Sequence, residues 1–404
     1  MKHLDYEIVI VGGGLVGLAF ACSLRGLDHR VLVIDAGQPP VYDEHGAYDL
    51  RVNSINIASQ TFLDAMGIWK QVAKKRIEAF HTIKVWDSVG GHIEFSAQDI
   101  DEPYLGHIVE SSLLTSSLAQ ALQAADNIDI RYGIQIEAMN VATDGVELKM
   151  HDGLKLQAAL AIGADGANSA VRQMSGIFCS KRVYSQTAYV AQIEVEHPRI
   201  GISYQKFLDS GPLALLPLSD QSYSIVWSCD ASLADELNQV DDDEFSQRLA
   251  QVLDYRFGEV KLVSQRVSFD LNKLLADQYY RGRCVLIGDA AHVVHPLAGM
   301  GANLGLMDAA ALGEVVSKIS DFTQQAQYHS QLRLYERWRK SENVFAANLI
   351  DGFDRGFRNP APTMRSMLGL GMSVTNRFGV VKNEMMRFAC GLTGDLPRIA
   401  MRAN

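Results

Sequence analysis

Cysteine is scarce: there are five in 404 residues, Cys22, Cys179, Cys229, Cys284 and Cys390. Their number is odd, their spacing is scattered, and no CxxC or histidine-rich cluster accompanies them. That excludes a disulfide framework and a structural zinc site, and it leaves thiols of a reducing compartment. Basic charge is also short. A net charge of -10 excludes nucleic-acid binding by the molecule as a whole. No apolar run reaches the ~18 residues that span a bilayer. The first residues lead straight into an apolar strand, so no signal peptide is expected and the expected location is the cytoplasm. Internal repeats and low-complexity tracts are missing too. What remains is ordinary globular material, 48% hydrophobic and 21% charged, enough for two or three domains.

The chain is organised around Glu7 to Asp35. Ile8 to Val11 is an apolar, mostly β-branched run that reads as a buried strand. Gly12, Gly14 and Gly17 follow at G-x-G-x-x-G spacing. The first permits a tight turn, the second lets backbone approach a pyrophosphate, and the third lets a helix pack close to the strand. Leu15 to Arg25 reads as that helix, with its N-terminal N–H groups offered to phosphate. A second strand, Arg30 to Ile34, ends at Asp35, placed to hold a ribose hydroxyl. Strand, turn, helix, strand and acid in this order predict a dinucleotide site, for FAD or NAD.

Further on, helical spacing of apolar residues predicts a helix over Val52 to Gly67. Arg51 precedes it, either to contact a cofactor or carboxylate or to form a surface salt bridge. Short strands are expected at Ile83–Trp86 and His92–Phe95 around Gly90-Gly91, and a helix over Ser111–Ala125. A hairpin is expected at Val146–Met150 and Leu154–Ala158, then a separate strand, Leu160–Gly163, with Asp165 in the loop after it. From about Val183 to Phe269 short alternating runs predict an antiparallel sheet, interrupted by one acidic helix, Asp241–Leu253. Cys284–Ile287 returns to a buried strand. Gly288 and Asp289 leave it, His295-Pro296 follow, and Gly299 to Asn303 lead into a helix over Ala302–Ser317. This is a second place where N–H groups at a helix start face an electron-rich ligand. Arg333–Asn348 reads as a long charged helix.

Three motifs thus stand in order: VGGGLVG with Asp35, GADGANSAVR, and GDAAHVVHPLAGMGANLGLMDA. Together they resemble the class A flavoprotein aromatic hydroxylases, the fold family of p-hydroxybenzoate hydroxylase, over nearly the whole chain. IGADGANSAVRQMSGI, HIVESS and LALLPLSD are most similar to the bacterial ubiquinone-biosynthesis ring hydroxylases. The resemblance implies an α/β fold: a Rossmann-like FAD-binding domain (1–182 and 271–354, with some substrate-lobe strands near 80–105). An antiparallel-sheet substrate domain (183–270) is inserted in it, and a C-terminal helical tail (355–404) follows. It implies FAD, with Gly12, Gly14, Gly17 and Asp35 on the ADP half, Arg51 near the flavin, and Asp165 linked to FAD and reduced nicotinamide. Gly288 and Asp289 would meet the ribityl and pyrophosphate. Pro296, Gly301, Ala302 and Asn303 would form the loop beside the flavin ring, and His295 with Pro296 are the candidate catalytic pair.

In such enzymes NAD(P)H reduces the flavin, O2 adds at its C4a carbon, and one oxygen atom passes to an electron-rich ring. The nicotinamide has no nucleotide fold of its own here and is expected to bind transiently. Each residue has a plainer reading as well. Asp165 and Asp289 serve equally as helix caps, and His292 and His295 as packing histidines. HxxH without an acidic partner motif is no metal site. One departure is visible: the resembled hydroxylases usually carry Gln where Met300 stands. Two rival functions remain: a flavoenzyme acting on a small soluble aromatic compound, and a non-enzymatic dinucleotide sensor.

The tail departs from the rest in charge. Residues 355–404 hold eight basic and two acidic residues, and six of the chain's 13 methionines. Adaptable apolar side chains beside arginines suit contact with anionic lipid or with a greasy partner of the ubiquinone pathway. The plainer reading is a tail that packs on its own domain with its basic residues in water; the alternative is a cytoplasmic protein that meets the inner membrane or a pathway partner through this tail, as access to a prenylated aromatic substrate requires.

Overall fold

The structure, a computed structural model, describes residues 4–296, 299–357 and 362–402. Its first layer is an eight-stranded sheet whose central members are parallel: Tyr6–Val11 lies between Val31–Asp35 and Lys155–Gly163. Ile128–Tyr132 extends one side and Cys284–Leu286 the other, also in parallel. The central runs Ile8–Val11, Val31–Ile34 and Ala158–Ile162 are continuously apolar because both faces are covered, as a parallel sheet demands, whereas the outer strand Ile128–Tyr132 exposes Asp129 and Arg131. The helix Leu15–Ser23 packs on one face, with Met300–Val316 against it. The two helices bury nearly every residue, which explains why neither shows a polar stripe.

Lys155–Gly163 is a single strand, where a hairpin arm and a separate strand were expected. Its first half pairs antiparallel with Val146–Met150 and its second half parallel with Tyr6–Val11. The alternating half faces partly outward and the continuous half is fully buried, so one strand carries two sequence textures.

The second layer is a nine-stranded, mostly antiparallel sheet. Its long strand, Cys179–Val195, pairs with Tyr223–Asp230 and with Val267–Ala276, so both ends overrun the expected limits of 183 and 270. The sheet also recruits the hairpin Thr82–Asp87/His92–Ser96 and the short His292–Val293. One face packs Tyr189, Leu213, Leu215, Ile225 and Trp227 onto two helices, Ala231–Gln239 and Asp242–Val252. Only the second of these was expected; its start carries Asp242, Asp243 and Glu244 and an Asp241 cap, which complement the helix dipole.

The predicted helix at Val52 is corrected. Val52–Asn56 is a strand paired with Gly106–Glu110, and the helix begins at Ile57, where the Asn56 side chain accepts from Ser59 N–H at 3.0 Å. Alternate burial of Asn53 and Ile55 is the period-2 signal that the helical spacing obscured. The charged helix is 33 residues long, Gln325–Phe357. Two helices follow, Pro362–Arg377 and Gly379–Ala389. The last segment does not stand apart as a tail. Met386, Cys390 and Ala400 are buried, and Ala58 N–H donates to Cys390 O. No described helix is long and apolar enough to cross a membrane.

Candidate flavin site at the strand edge

Sheet register sets the site. Val11 lies opposite both Gly163 and Ile34, and Gly163 lies opposite Leu286. The loops leaving these parallel strands therefore emerge at one level of the carboxyl edge, the ligand edge of such sheets. Backbone bonds tie the levels: Gly12 N–H to Ile34 O (2.8 Å), Ala164 N–H to Val11 O (2.8 Å) and Ile287 N–H to Gly163 O (3.0 Å). The three glycines then separate by role. A Cβ on Gly12 would stand 2.3 Å from Ala164 O, and one on Gly17 would stand 2.0 Å from Gly12 O. One on Gly14 would meet nothing within 4 Å. Gly12 and Gly17 are required by the protein's own packing, whereas Gly14 fronts open space. Beside it the Asp35 carboxylate accepts from Gly13 N–H at 2.6 Å and from Gly37 N–H at 2.7 Å.

Asp165 is a cap in this structure. It accepts from the Ser169 hydroxyl at 2.5 Å and from Ala170 and Val171 N–H at 2.7 and 3.1 Å, shaping the second loop. In the third loop Gly288 has φ +59°, a conformation that favours glycine, and Asp289 beside it is exposed. Gly288 N–H donates to Asp308, a fully buried carboxylate that sequence reading passed over. Asp308 also holds His292 Nε2 at 2.6 Å, Arg339 Nε at 2.9 Å and Asn343 Nδ2 at 2.9 Å. Burial pushes its pKa up, but the adjoining His292 and Arg339 outweigh that and hold it below the ordinary carboxylate value. The available signal was an acid set among alanines and leucines, with Arg339 and Asn343 one turn apart on a later helix.

Asn303 joins the third loop to the strand Val52–Asn56. Its amide donates to Ser54 O at 2.7 Å and to Gly299 O at 3.1 Å, and its oxygen accepts from Asn56 N–H at 3.0 Å. Arg51 is exposed at the start of that strand, and its N–H donates to Asp49 Oδ1. The loop before it is held by a second missed group. Arg76 grips the buried Glu110 through Nε and Nη2, at 2.8 and 2.9 Å, and reaches the carbonyls of Asp43 and Gly46. Gly301 and Ala302 occupy the first turn of the helix Met300–Val316. His295 is enclosed, edge-on to Tyr184 with Nε2 3.9 Å from Asp354 Oδ1. Pro296 O accepts from Gly299 N–H at 3.2 Å. Leu297 and Ala298, part of the resembled loop motif, lie outside the described residues.

These residues fit FAD on the structure's own terms. Gly14 leaves a cradle that any side chain would fill. The helices starting at Leu15 and Met300 have no acidic residue in the first turn and no side-chain cap, so their N–H groups and dipoles remain available to an anion. The surface helix Asp242–Val252 does the opposite. Among the described residues no group of three or more His, Cys, Asp or Glu is placed to hold a metal ion.

Site and sheets together define the p-hydroxybenzoate hydroxylase fold. The solved p-nitrophenol 4-monooxygenase PnpA of Pseudomonas putida DLL-E4 shares it with TM-score 0.77, 18% identity, and coverage of 96% of this chain and 97% of that one. The chain belongs to the FAD binding domain family, whose model matches residues 5–342. It is 33% identical over 392 residues to the 3-demethoxyubiquinol 3-hydroxylase of Escherichia coli (strain K12), covering 97% of this chain and 100% of that relative. It is 32% identical to the mitochondrial ubiquinone biosynthesis monooxygenase COQ6 of Homo sapiens, over 95% of this chain and 92% of the relative.

Proposed function

We propose that this chain is an FAD-dependent monooxygenase that hydroxylates the ring of a polyprenylated phenol or quinol intermediate in ubiquinone biosynthesis, using NAD(P)H and O2. The observation that carries the reading is the level convergence of three strand-end loops on the open face at Gly14. The relatives' activities supply the substrate class. When bound, FAD accepts hydride from the nicotinamide and activates O2 so that one oxygen atom reaches the ring.

The chain's residues bind, orient and shield. Gly14 and the N–H groups opening the helix Leu15–Ser23 receive the pyrophosphate, and Asp35 accepts from a ribose hydroxyl. Gly288 presents its loop in the left-handed conformation and Asp289 faces the ribityl chain. The N–H groups of Gly301, Ala302 and Asn303 offset negative charge at the flavin ring, while the Asn303 amide fixes that helix start against Ser54 and Asn56. His295 and Pro296 set the loop that walls the reacting ring. Arg51 supplies positive charge near the flavin, and Asp165 holds the second loop in register with the first. Exclusion of water at this wall favours oxygen transfer over loss as hydrogen peroxide.

The protein would work at a membrane surface. On the two C-terminal helices Met367, Leu370, Val380 and Val381 are exposed, as is Phe378 between them, with Arg377 also exposed. Arg358 of the basic tail lies outside the described residues. Apolar side chains beside basic ones bind anionic lipid in a salt-sensitive way.

The reading is tested by the colour and kinetics of purified protein. A flavin spectrum that NAD(P)H bleaches faster in the presence of a prenylated phenol supports it. A colourless, correctly folded protein that FAD does not reconstitute rejects it.

A further inference from the structure

Residues 36–51 contain neither helix nor strand, and they join Asp35 to Arg51, two residues of the candidate flavin site. Irregular connections longer than about 12–15 residues are uncommon in compact domains and are usually functional. This one is fastened from two sides. From the nucleotide-binding side, Arg76 Nη1 donates to Glu44 O and Gly46 O, at 3.0 and 2.7 Å, and Nη2 to Asp43 O and Ala47 O, at 3.1 and 3.2 Å. The same guanidinium lies 4.3 Å from the centre of the Tyr48 ring. From the antiparallel sheet, Gln192 Nε2 donates to Tyr48 O and Asp49 O, each at 3.1 Å, and the Tyr48 hydroxyl meets the Ser219 hydroxyl at 2.6 Å. Gln192 stands on the strand Cys179–Val195, on the face opposite Tyr189, Ala191 and Ile193, which pack with the two helices of that sheet.

The two fastenings meet at Asp49. Its N–H donates to the buried Glu110 at 2.8 Å, and its carbonyl accepts from Gln192. Its carboxylate accepts from Arg51 N–H and Ser112 N–H, both at 3.0 Å. The backbone that presents Arg51 is thus fixed from both sides. We propose that the antiparallel sheet, through Gln192 and the Tyr48–Ser219 contact, positions Arg51 at the flavin, with Gln192 the principal positioning residue. The inference rests on the proposed flavin site and adds how the substrate sheet reaches it. Packing alone would not select glutamine here. Gln192 is buried, and burying an amide is costly unless its donors are used. The two N–H bonds of its amide serve two successive carbonyls of one segment. Removing them leaves both carbonyls without this partner and frees the last residues before Arg51. A guanidinium held beside the ring favours the negative charge that arrives there with reduction, so a loosened Arg51 slows hydride transfer from NAD(P)H.

Hydrogen–deuterium exchange of the full-length protein, measured before FAD is added, reads the segment directly. Gln192→Leu removes the donors at similar volume. It should speed exchange across residues 48–51 by about fivefold or more and leave Ile8–Val11 as protected as in wild type. Stopped-flow reduction of the FAD-loaded protein by saturating NAD(P)H reads the consequence. Gln192→Leu should slow reduction about tenfold, and Arg51→Gln should slow it at least as much. The double variant should match Arg51→Gln alone within about twofold, whereas independent effects would multiply. Tyr48→Phe removes only the hydroxyl bonded to Ser219 and should act in the same direction, more weakly. It carries the same comparisons if thermal melts show that Gln192→Leu does not fold. Unchanged exchange at 48–51, unchanged reduction, or losses that multiply in the double variant would overturn the positioning role. Wild-type protein that takes up no FAD, or a normal reduction rate in Arg51→Gln, would instead overturn the placement of Arg51 at a flavin, and the inference with it.

Discussion

At the residue scale, the glycine turn makes two kinds of demand that a motif alone cannot distinguish. Gly17 is needed because a Cβ there would collide with Gly12 O, whereas Gly14 has space in front of it. Gly14 φ is -79°, so valine is sterically tolerable in the empty protein. Gly14→Val is therefore expected to keep the wild-type apoprotein melting temperature but to lose bound flavin. Gly17→Val should lower the melting temperature itself. Flavin content and melting curves measured on both variants separate the two demands, and a fully loaded Gly14→Val would remove this turn from the site. Asp289 offers a second test. It is exposed, so Asp289→Ala should move stability by less than about 0.5 kcal/mol while reducing flavin retention or its rate of reduction. Unchanged stopped-flow reduction and full occupancy would assign Asp289 no role in the cofactor site.

At the element scale, the strand Gly106–Glu110 shows how distant parts support the site. It pairs with Val52–Asn56, whose Ser54 and Asn56 hold Asn303. Its His107 is buried against Trp69 and Tyr104, and burial lowers its pKa from 6.5 to about 4. The folded state therefore binds a proton less readily than the unfolded chain does. The stabilising effect is complete above pH 6.5 and is lost as pH falls towards 4, by up to about 3 kcal/mol. Denaturant melts across that window should show the loss, and His107→Gln should flatten it. An unchanged slope in the variant would place the pH dependence elsewhere.

Much at this scale was legible from local pattern: the strands Tyr6–Val11 and Val31–Asp35, the hairpin at Gly90-Gly91 and the helix Met300–Val316. Three features were not, each for a physical reason. Val52–Asn56 is a strand because Gly106–Glu110 pairs with it, a partner far along the chain. Lys155–Gly163 changes partners midway, which imitates two elements. The Asp308–His292–Arg339–Asn343 group spans three separate stretches, and no spacing rule joins residues across that distance. The strand–turn–helix frame around Gly12 to Gly17 could be read because it is a local pattern, whereas buried polar networks are assembled by tertiary packing.

At the scale of the molecule, the C-terminal segment packs into the fold and also carries the surface proposed to meet lipid. Met386, Cys390 and Ala400 belong to the interior, so truncation after Asn359 should destabilise the fold and cannot isolate a docking function. Phe378 and Val380 are exposed, so the double change Phe378→Asp, Val380→Asp should leave melting and flavin content intact. It should also abolish sedimentation with anionic liposomes, which in wild type should weaken as salt rises. Wild-type protein that ignores such liposomes at low salt would refute the membrane reading and leave the flavin site untouched.

The central claim is that this strand-edge site delivers an oxygen atom from O2 to a prenylated ring. Mass spectrometry of product formed under 18O2, with NAD(P)H, FAD-loaded enzyme and a polyprenylated phenol, tests it most directly. The account predicts one labelled oxygen on the ring for each turnover that does not end in hydrogen peroxide. Product oxygen drawn from water, or NAD(P)H consumption that yields hydrogen peroxide and no hydroxylated ring, would contradict it.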